Sequence, residues 1–451
     1  MSNVIGQQLC KVDMEGEELI IPTRYQVEKI IGRGSYGLVC STRDRVTGKN
    51  VALKKNIDIF PRIVSNRTVI KKTRSILTQK RILRELKVLM HLNHPNIVSL
   101  KEVIAPISFN DFGDVYFVTD LMEADMRAIL SSNQGLSDQH IKYFVYQMLS
   151  ALAHMHSADI LHRDLKPENV LLNADCELRI CDFGLSRGVD FEQDPTMSTN
   201  YVQTRWYRAP ELLLDHATVT KEIDVWSVGC IFGELYGRKV LFQGTSTPNQ
   251  LMRIIKVLGK PTPADIKGSR SGVEFVNNLS APENNSESSL WAKRMFPGAN
   301  PLGLDLLNKM LQFNPDKRIT AEDALKHPYF SDLHDPTEVI TASEKFDFSF
   351  EDTLDSTHAI KTECYNTVIQ YCKSHQGRSS NGVLPSVASQ NVPGSRGSTT
   401  EPQKTQRRSS ISSSSSKRTT SPQRKSPANK NRRPSNGGYF DSTSVAKQTL
   451  Y

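Results

Sequence analysis

Apolar residues in the first part of the chain form short runs that predict strands. The segments YQVEKII, GLVCSTRD and KNVALKKN follow one another between Arg24 and Asn56, with turn residues between them. Runs of this length that are rich in branched and aromatic residues and bounded by turn formers are typical of a small sheet. The pattern therefore predicts three consecutive strands.

Later in the chain the apolar residues recur every three or four positions, as they do in helices. One predicted helical face consists of Ile82, Leu83, Leu86 and Met90. A second consists of Ile141, Phe144, Val145, Met148 and Leu152. Ser137 is the expected N-cap of the second helix, with Asp138 in its first turn. Strands followed by helices predict a small sheet-rich lobe and a larger helical lobe, and no internal repeat is visible.

Length and composition indicate a globular protein. The chain has 451 residues, of which 38% are hydrophobic, enough for a sizeable core. Its longest apolar stretch, from Val225 to Tyr236, contains Glu234 and is shorter than the roughly 20 residues of a membrane span, so we interpret it as a buried helix. The N-terminus lacks the pattern of a secretory signal, and the seven cysteines form no CxxC pair. We therefore expect an intracellular protein with no membrane partner.

The formal net charge of +9 is concentrated at the C-terminal end. Residues 376–451 contain 13 Lys and Arg against 2 Asp and Glu, which leaves 44 against 46 for residues 1–375. Because the remainder is nearly neutral, we expect no direct binding of nucleic acid. The tail has a SSISSSSS run and few apolar residues, so it is predicted to be disordered. Its basic clusters leave nuclear import open beside a cytoplasmic location.

A glycine pattern, GRGSYG, occupies residues 32–37. In a dinucleotide-binding site a helix follows such glycines, whereas here Leu38, Val39 and Cys40 continue as a strand. We therefore interpret the segment as a hairpin flap. Its glycines would let the backbone approach phosphate oxygens without a Cβ in the way.

The decisive chemistry lies in HRDLKPEN at residues 162–169 and DFG at residues 182–184. They resemble the catalytic loop and the metal-binding motif of protein kinases. The APE of residues 209–211, the DVWSVG of residues 224–229 and Arg318 follow in the order typical of that family. The resemblance covers about Arg24 to Phe330 and implies a bilobal α+β fold with ATP and Mg²⁺ as cofactors. With Lys166, the catalytic loop resembles that of serine/threonine kinases rather than that of tyrosine kinases.

Phosphoryl transfer explains why these residue types occur together. The reaction needs a group that orients the attacking hydroxyl, cations that offset the charge on the γ-phosphate, and oxygen ligands for Mg²⁺. Asp164 is the predicted acceptor of the hydroxyl proton, and Lys166 is the predicted cation. Asn169 and Asp182 are the predicted metal ligands.

The nucleotide is expected between the glycine flap and the segment DVYFVTDLME. Lys54, in VALK, is predicted to reach the α- and β-phosphates and to be held by Glu85 of the first helix. By resemblance, Thr119 gates the back pocket and Asp125 reaches the ribose. The residues assigned to the nucleotide are Ile31, Gly32, Gly34, Gly37, Val39, Ala52, Lys54, Thr119, Asp120, Met122, Asp125 and Leu171.

Within the kinases, residues 199–208, TNYVQTRWYR, resemble the activation segment of mitogen-activated protein kinases. Thr199 and Tyr201 are the predicted phosphorylation sites, and Asn200 stands where that family usually carries Glu, Asp, Gly or Pro. Each phosphate adds about −1.5 to −2 charges and three acceptor oxygens, so arginines should receive it. By similarity, phospho-Thr199 is assigned to Arg84, Arg163 and Arg187, and phospho-Tyr201 to Arg205 and Arg208.

The same resemblance implies substrates and partners. A pocket near Arg208 favours proline after the phosphorylated residue, because proline has no N–H that would be buried unpaired. The implied partners are an upstream dual-specificity kinase, protein substrates with Ser/Thr-Pro sites and basic docking motifs, and phosphatases. The residues assigned to docking are Asp335, Glu338, His140, Tyr143, Asp175 and Cys176.

The predicted boundaries are an N-terminal extension at 1–23, a kinase domain at 24–330, a C-terminal extension at 331–375 and the basic tail at 376–451. The two lobes are predicted to meet between Thr119 and Asp120. Residues 339–374 resemble the family's extension that packs back on the small lobe. The segment IFPRIVSNRTVIKKTRSILTQKR, from Ile59 to Arg81, is longer and more basic than the resemblance predicts. We expect it to be a solvated loop with an early start of the helix.

Two other functions stay open at this point. A cyclin-dependent relative would share the motifs of the large lobe, although that branch has a single activating Thr and RILRELKVLM does not resemble its partner-binding helix. A scaffold or pseudokinase would use the fold only for binding. The presence of all four residues that the chemistry requires argues against this alternative: Lys54, Asp164, Asn169 and Asp182.

Overall fold

The computed structural model describes residues 1–34, 37–64, 67–69, 73–189, 205–279 and 290–375, with the backbone alone for 63–64 and 67–69. Its strands are β1 (Leu9–Met14), β2 (Glu17–Pro22), β3 (Tyr25–Gly34), β4 (Gly37–Asp44), β5 (Asn50–Asn56), β6 (Arg62–Val64), β7 (Arg67–Val69), β8 (Leu100–Val103), β9 (Val115–Asp120), β10 (Ala124–Asp125), β11 (Ile160–Leu161), β12 (Val170–Leu172), β13 (Leu178–Ile180) and β14 (Arg187–Gly188). The longer strands all precede residue 121.

The helices of the described residues lie mostly after the small lobe, which contains one of them. They are α1 (Ile76–His91), α2 (Met126–Ser131), α3 (Asp138–Ser157), α4 (Pro210–Leu213), α5 (Glu222–Gly237), α6 (Thr247–Leu258), α7 (Arg270–Asn277), α8 (Trp291–Met295), α9 (Pro301–Met310), α10 (Ala321–Leu325) and α11 (Thr357–His375). A sheet-rich lobe with one helix before a helical lobe confirms the predicted α+β class.

The small lobe is built on an antiparallel sheet in the order β3, β4, β5, β9, β8. The first three of these strands coincide with the segments that the apolar pattern predicted. The residues before them, in the predicted N-terminal extension, form a hairpin of β1 with β2. Leu19 and Ile21 of this hairpin are fully buried and share a core cluster with Leu53 and Val118 of the sheet.

Helix α1 lies between two cores. Ser75 caps its start by accepting a hydrogen bond from the backbone N–H of Thr78. Three of its four predicted inward residues are buried: Ile82, Leu83 and Leu86. The prediction for Met90 is wrong, since this side chain is 39% exposed. Val88 and Leu89 take the inward positions because the end of the helix packs on the large-lobe core instead.

The segment before α1 corrects a second expectation. Ile59 and Phe60 are buried, although the sequence analysis placed them at the start of a solvated loop. They share a core cluster with Ile360 and Cys364 of α11, and the ammonium of Lys361 donates to the carbonyl of Pro61 at 2.7 Å. The C-terminal extension therefore does pack back on the small lobe and covers the start of the insert.

Helices α3 and α5 form the centre of the large lobe. All five apolar residues predicted to face inward on α3 are buried, and Ser137 is confirmed as its N-cap. Helix α5 is buried around almost its whole circumference, as the apolar run predicted. The buried guanidinium of Arg318 pairs with Glu211 at 2.7 Å. Breaking such a pair would cost about 3–5 kcal/mol, because it would leave one charge buried alone.

Membrane-spanning helices, clusters of metal ligands and disulfides are all absent from the described ranges. No helix there combines the length and the apolar character that a membrane crossing requires. No group of three or more His, Cys, Asp or Glu side chains in those ranges is arranged to hold a metal ion. All seven cysteines are free thiols.

His94 joins the end of α1 to the large lobe and is 6% exposed. Its Nδ1 accepts a hydrogen bond from the backbone N–H of Asn96 at 3.1 Å, and its Nε2 lies 3.2 Å from the hydroxyl of Ser150. Burial, and next the neighbouring ring of His154, lower the pKa of His94 to about 4. The folded protein therefore holds this imidazole neutral at pH values at which an exposed histidine is charged.

We expect His94 to make the stability depend on pH. Between about pH 6.5 and 4 the unfolded chain binds a proton that the folded protein does not bind, so the free energy of unfolding should fall by about 3 kcal/mol as the pH decreases across this range. His94→Asn should flatten the decrease in melting temperature over the same range. His216→Asn, in a partly exposed turn, is the control, and an unchanged pH slope in His94→Asn would contradict the assignment.

Candidate active site

Gly34 and Gly37 of the glycine pattern pair with each other where β3 ends and β4 begins. A Cβ on Gly37 would lie 1.7 Å from the carbonyl oxygen of Lys55 in β5, whereas one on Gly34 would meet nothing within 4 Å. Gly37 is therefore required by the packing of the sheet. Gly34 leaves open space in the cleft, which a phosphate group could occupy.

Lys54 and Glu85 lie in contact across the cleft. The ammonium of Lys54 in β5 donates to both carboxylate oxygens of Glu85 in α1, at 2.6 and 2.8 Å. Burial lowers the pKa of Lys54, but Glu85 and then Asp182 more than offset it, so the pKa lies above its usual value. The ammonium of Lys54 therefore keeps its positive charge next to Asp182.

The catalytic loop brings its polar side chains together. The ammonium of Lys166 donates to Asp164 at 2.6 Å, and the amide nitrogen of Asn169 donates to the backbone carbonyl of Asp164 at 2.8 Å. Burial raises the pKa of Asp164 above its usual value, although Lys166 acts in the opposite direction. The carboxylate can accept a proton, and the amide oxygen of Asn169 is left for another ligand.

A buried carboxylate on α5 supports this loop from below. Asp224 accepts hydrogen bonds from the backbone N–H groups of His162 and Arg163, both at 2.8 Å, and from His156 at 3.2 Å. Burial acts to raise the pKa of Asp224, but these hydrogen bonds and the nearby histidines hold it below its usual value. Arg163 has a φ of 70°. Such a backbone is strained for a residue other than glycine, and the bonds to Asp224 hold it.

Asp182 and Asn169 form the candidate metal site. The backbone N–H of Cys181 donates to the carbonyl of Asn169 at 3.0 Å, which places the metal-binding motif beside the catalytic loop. The side chains offer a carboxylate and an amide oxygen. Mg²⁺ prefers oxygen ligands and usually binds one or two carboxylates together with substrate phosphates, so this donor set fits Mg²⁺.

The remaining residues that the sequence assigned to the nucleotide lie on strands of the two lobes and beside α2. Ala52 pairs with Thr119 between β5 and β9. The carboxylate of Asp120 is bound by the backbone N–H of Ser99 and the ammonium of Lys101, both at 2.9 Å, so only its backbone is left for a nucleotide. Asp125 caps α2 by accepting from the N–H of Ala128 at 2.8 Å. The other assigned residues are on β3 (Ile31, Gly32), on β4 (Val39), after β9 (Met122) and on β12 (Leu171).

Comparison with known proteins agrees with this arrangement. The family described as "Protein kinase domain" matches residues 25–330. "Mitogen-activated protein kinase 3" of Arabidopsis thaliana is 42% identical over 365 residues, which cover 81% of this chain and 94% of that protein. This chain belongs to the mitogen-activated protein kinase family. It is therefore a serine/threonine protein kinase, and its family uses ATP and a divalent metal.

Two other relatives extend the comparison. "Mitogen-activated protein kinase 2" of Pneumocystis carinii is 46% identical over 338 residues, covering 74% of this chain and 90% of that protein. "Extracellular signal-regulated kinase 1" of Dictyostelium discoideum is 45% identical over 358 residues, covering 79% of this chain. The match spans 64% of the Dictyostelium protein, which is less than two thirds of its length.

The arginines that the kinase resemblance assigns to phosphate fall into two groups. In the first, Arg187 interacts electrostatically with Arg84 and with Arg163, and Arg205 and Arg208 form the second group. Arg84 is bound by Glu351 of the C-terminal extension, at 2.6 Å between Nη2 and Oε2, and it donates to the carbonyl of Gly184. Arg205 and Arg208 lie in one turn, and burial together with Arg205 lowers the pKa of Arg208. Arg163 follows His162 in the catalytic loop, and Arg187 lies in β14. The predicted phosphorylation sites Thr199 and Tyr201 lie outside the described residues, as does Asn200.

The residues assigned to docking lie around α3. Tyr143 is 37% exposed and lies near Cys176, while the ring nitrogen of His140 is used to accept from the N–H of Ser137. Asp175 is in the turn before Cys176. Asp335 accepts from the hydroxyl and the N–H of Thr337, which lowers the pKa of its carboxyl. Glu338 is exposed in the same turn. Both acids are therefore exposed to solvent.

Sequence reasoning missed a hydrogen-bonded network around Arg127. Arg127 in α2 donates to Glu234 at 2.6 Å and to Glu168 at 2.9 Å, and the hydroxyl of Tyr207 donates to Glu234 at 2.6 Å. The network ties α2, the catalytic loop and α5 to the residues after the activation segment. Its one sequence signal was Glu234, an acid within an apolar run. Glu351 was missed as well, since nothing near it in the chain points to Arg84.

The two flap glycines allow a direct test. Gly37→Ala should force Cβ into the carbonyl of Lys55. Overpacking of this kind costs about 1–3 kcal/mol, so the melting temperature should fall. Gly34→Ala is the matched control and should keep the melting temperature of the wild type. Equal melting temperatures for the two variants would contradict the assigned role of Gly37.

Proposed function

We propose that this protein transfers the γ-phosphate of ATP to serine or threonine residues that precede proline in other proteins. We further propose that phosphorylation of Thr199 and Tyr201 activates it. The observation that carries the proposal is the pairing of Lys54 with Glu85 at 2.6 Å in the same cleft as the Asp164–Lys166 pair, also at 2.6 Å. A module that only binds partners would have no need for these two pairs of charges in one cleft.

Each residue of the cleft has a definite part in this reaction. Asp164 orients the substrate hydroxyl and accepts its proton, and its raised pKa makes its carboxylate a better proton acceptor. Lys166 offsets charge on the phosphoryl group, and Lys54 holds the α- and β-phosphates. Asn169 and Asp182 would hold Mg²⁺. When bound, Mg²⁺ and ATP supply the divalent charge and the phosphoryl group.

The preference for proline is supported by the backbone next to Arg208. The carbonyl of Tyr207 already accepts from the hydroxyl of Ser227 at 2.8 Å, and the carbonyl of Trp206 accepts from Gln250 at 3.3 Å. A substrate N–H placed here would have to share acceptors that already receive a hydrogen bond. Proline has no N–H and avoids the cost of burying one unpaired.

Activation by phosphate is supported by the arginines near the site. A phosphate on Thr199 would add about −1.5 to −2 charges and three acceptor oxygens. Arg163 belongs to the catalytic loop and Arg187 follows the metal-binding motif, so one phosphate could join both to α1 through Arg84. An upstream dual-specificity kinase would add the phosphates, and phosphatases would remove them. We place the protein in the cytoplasm, with import into the nucleus through the basic tail as the alternative.

Docking of partners is supported by charge. Asp335 and Glu338 are exposed acids beside α3, and basic segments of substrates or activators would complement them. Tyr143 and Cys176 would provide an apolar contact next to these acids. Surface charges of this kind raise association rates more than they raise affinity.

The chemistry is tested with two peptides that differ only in Ser-Pro against Ser-Ala. With Mg²⁺ and ATP, the wild type should label the Ser-Pro peptide preferentially. Asp164→Asn should lower kcat by about 10²-fold or more, because the proton acceptor is lost. Asp355→Asn, at an exposed acid of the extension, is the control. Equal labelling by wild type and Asp164→Asn would disprove the mechanism, and a failure to bind Mg²⁺ and ATP would favour a scaffold.

Activation is tested with protein phosphorylated on both sites, as verified by mass spectrometry, against Thr199→Ala and Tyr201→Phe. The doubly phosphorylated protein should be at least about tenfold more active than the unphosphorylated protein. A change of this size lies within the usual range of coupling between two sites. Each substitution should remove part of the gain. Activity that required a cyclin and was unaffected by Tyr201→Phe would favour the cyclin-dependent alternative.

A further inference from the structure

Arg84 is 1% exposed and is paired with an acid that lies far away in the chain. Its Nη2 donates to Oε2 of Glu351 at 2.6 Å, its Nε donates to Oε1 of the same carboxylate, and its Nη1 donates to the carbonyl of Gly184. The carboxylate is itself only 13% exposed. Such a two-pronged contact fixes both the position and the orientation of the guanidinium.

The surroundings of Arg84 are crowded with positive charge. Arg187 lies 4.0 Å from the same carboxylate oxygen of Glu351. Burial, and next the charge of Arg84, lower the pKa of Arg187 to about 9, and Arg163 and Arg81 act in the same direction. Buried charges of one sign repel each other unless an anion lies among them. Glu351 provides that anion.

The extension holds α1 at several points around this contact. The ammonium of Lys80 donates to the carbonyl of Glu351 at 3.0 Å, and Lys87 pairs with Glu363 at 2.6 Å. The ammonium of Lys87 also lies 4.8 Å from the ring centre of Phe350. Glu351 is therefore placed by the backbone of a segment that is fastened to the same helix.

The contact is also linked to the active site. Arg84 directly precedes Glu85, the partner of Lys54, and Gly184 belongs to the motif that begins with Asp182. A single guanidinium therefore connects Glu351 to both the helix and the metal-binding motif. If the carboxylate were lost, the buried Arg84 would have to move or find another anion, and Glu85 would move with it.

We propose that Glu351 is a positioning residue that acts in place of a phosphate. Its carboxylate holds Arg84, and through it Glu85, so that Lys54 is paired before Thr199 is phosphorylated. The inference rests on the proposed function in one respect: a phosphate on Thr199 would bind the same arginines. Phosphate carries more charge than a carboxylate, so it would take over the role of Glu351.

The test uses full-length protein carrying Thr199→Ala and Tyr201→Phe, which cannot be phosphorylated at either position. Adding Glu351→Gln should weaken the binding of Mg²⁺ and ATP about tenfold by calorimetry, with a similar decrease in kcat for the Ser-Pro peptide. Glu351→Asp keeps the negative charge and should retain most of the affinity. Asp352→Asn, at the exposed neighbouring acid, should bind as the parent does.

The second arm uses protein with Thr199 intact and phosphorylated. Here Glu351→Gln should bind Mg²⁺ and ATP as tightly as the phosphorylated wild type, because the phosphate replaces the carboxylate. A loss that persists after phosphorylation would reduce Glu351 to a structural contact and overturn the proposal. Unchanged affinity in the unphosphorylatable protein would also overturn it. If phosphate failed to activate the wild type, the proposed activation would be wrong, while the first arm would still decide the role of Glu351.

Discussion

The ion pair between Lys54 and Glu85 is the interaction on which the rest of the active site depends. Lys54 is fixed by β5, which lies between β4 and β9 in the sheet, whereas Glu85 is fixed by α1. The carboxylate of Glu85 is buried and needs a charged partner, so the position of the helix and the position of the ammonium are determined together. The contacts that hold α1, from Ser75 at its start to Glu351 at its side, therefore also hold the partner of Lys54 in place.

In the large lobe, Asp224 is a second buried charge whose partners fix the position of functional residues. Its carboxylate is completely buried and satisfied by three donors, two of which are backbone N–H groups of the catalytic loop. Arg163 and Asp182 have positive φ angles, each of which costs of order 1–3 kcal/mol for residues that are not glycine. Buried hydrogen bonds to the loop can offset such strain. The loop is consequently held in a geometry that an isolated peptide would rarely adopt.

The C-terminal extension belongs to the small lobe in structural terms. Helix α11 completes the core over Ile59 and Phe60, and its hydrophobic residues pack with Ile82, Leu83 and Leu86 of α1. The segment before it supplies Glu351 to Arg84. One helix therefore receives contacts from the sheet, from the metal-binding motif and from the extension, and each of these can bias its position.

The sequence by itself determined the elements and the chemistry that depend on nearby residues. Three strands, the capped helix α3 and the buried helix α5 follow from local periodicity, which covalent geometry imposes on any fold. The catalytic motifs were identified by their resemblance to those of protein kinases. Only the tertiary structure decided that Met90 faces solvent, that Ile59 and Phe60 are covered, and that Arg84 meets Glu351. The last two residues are 267 positions apart. Such contacts depend on how distant surfaces pack, and no pattern near either residue records the shape of the other surface.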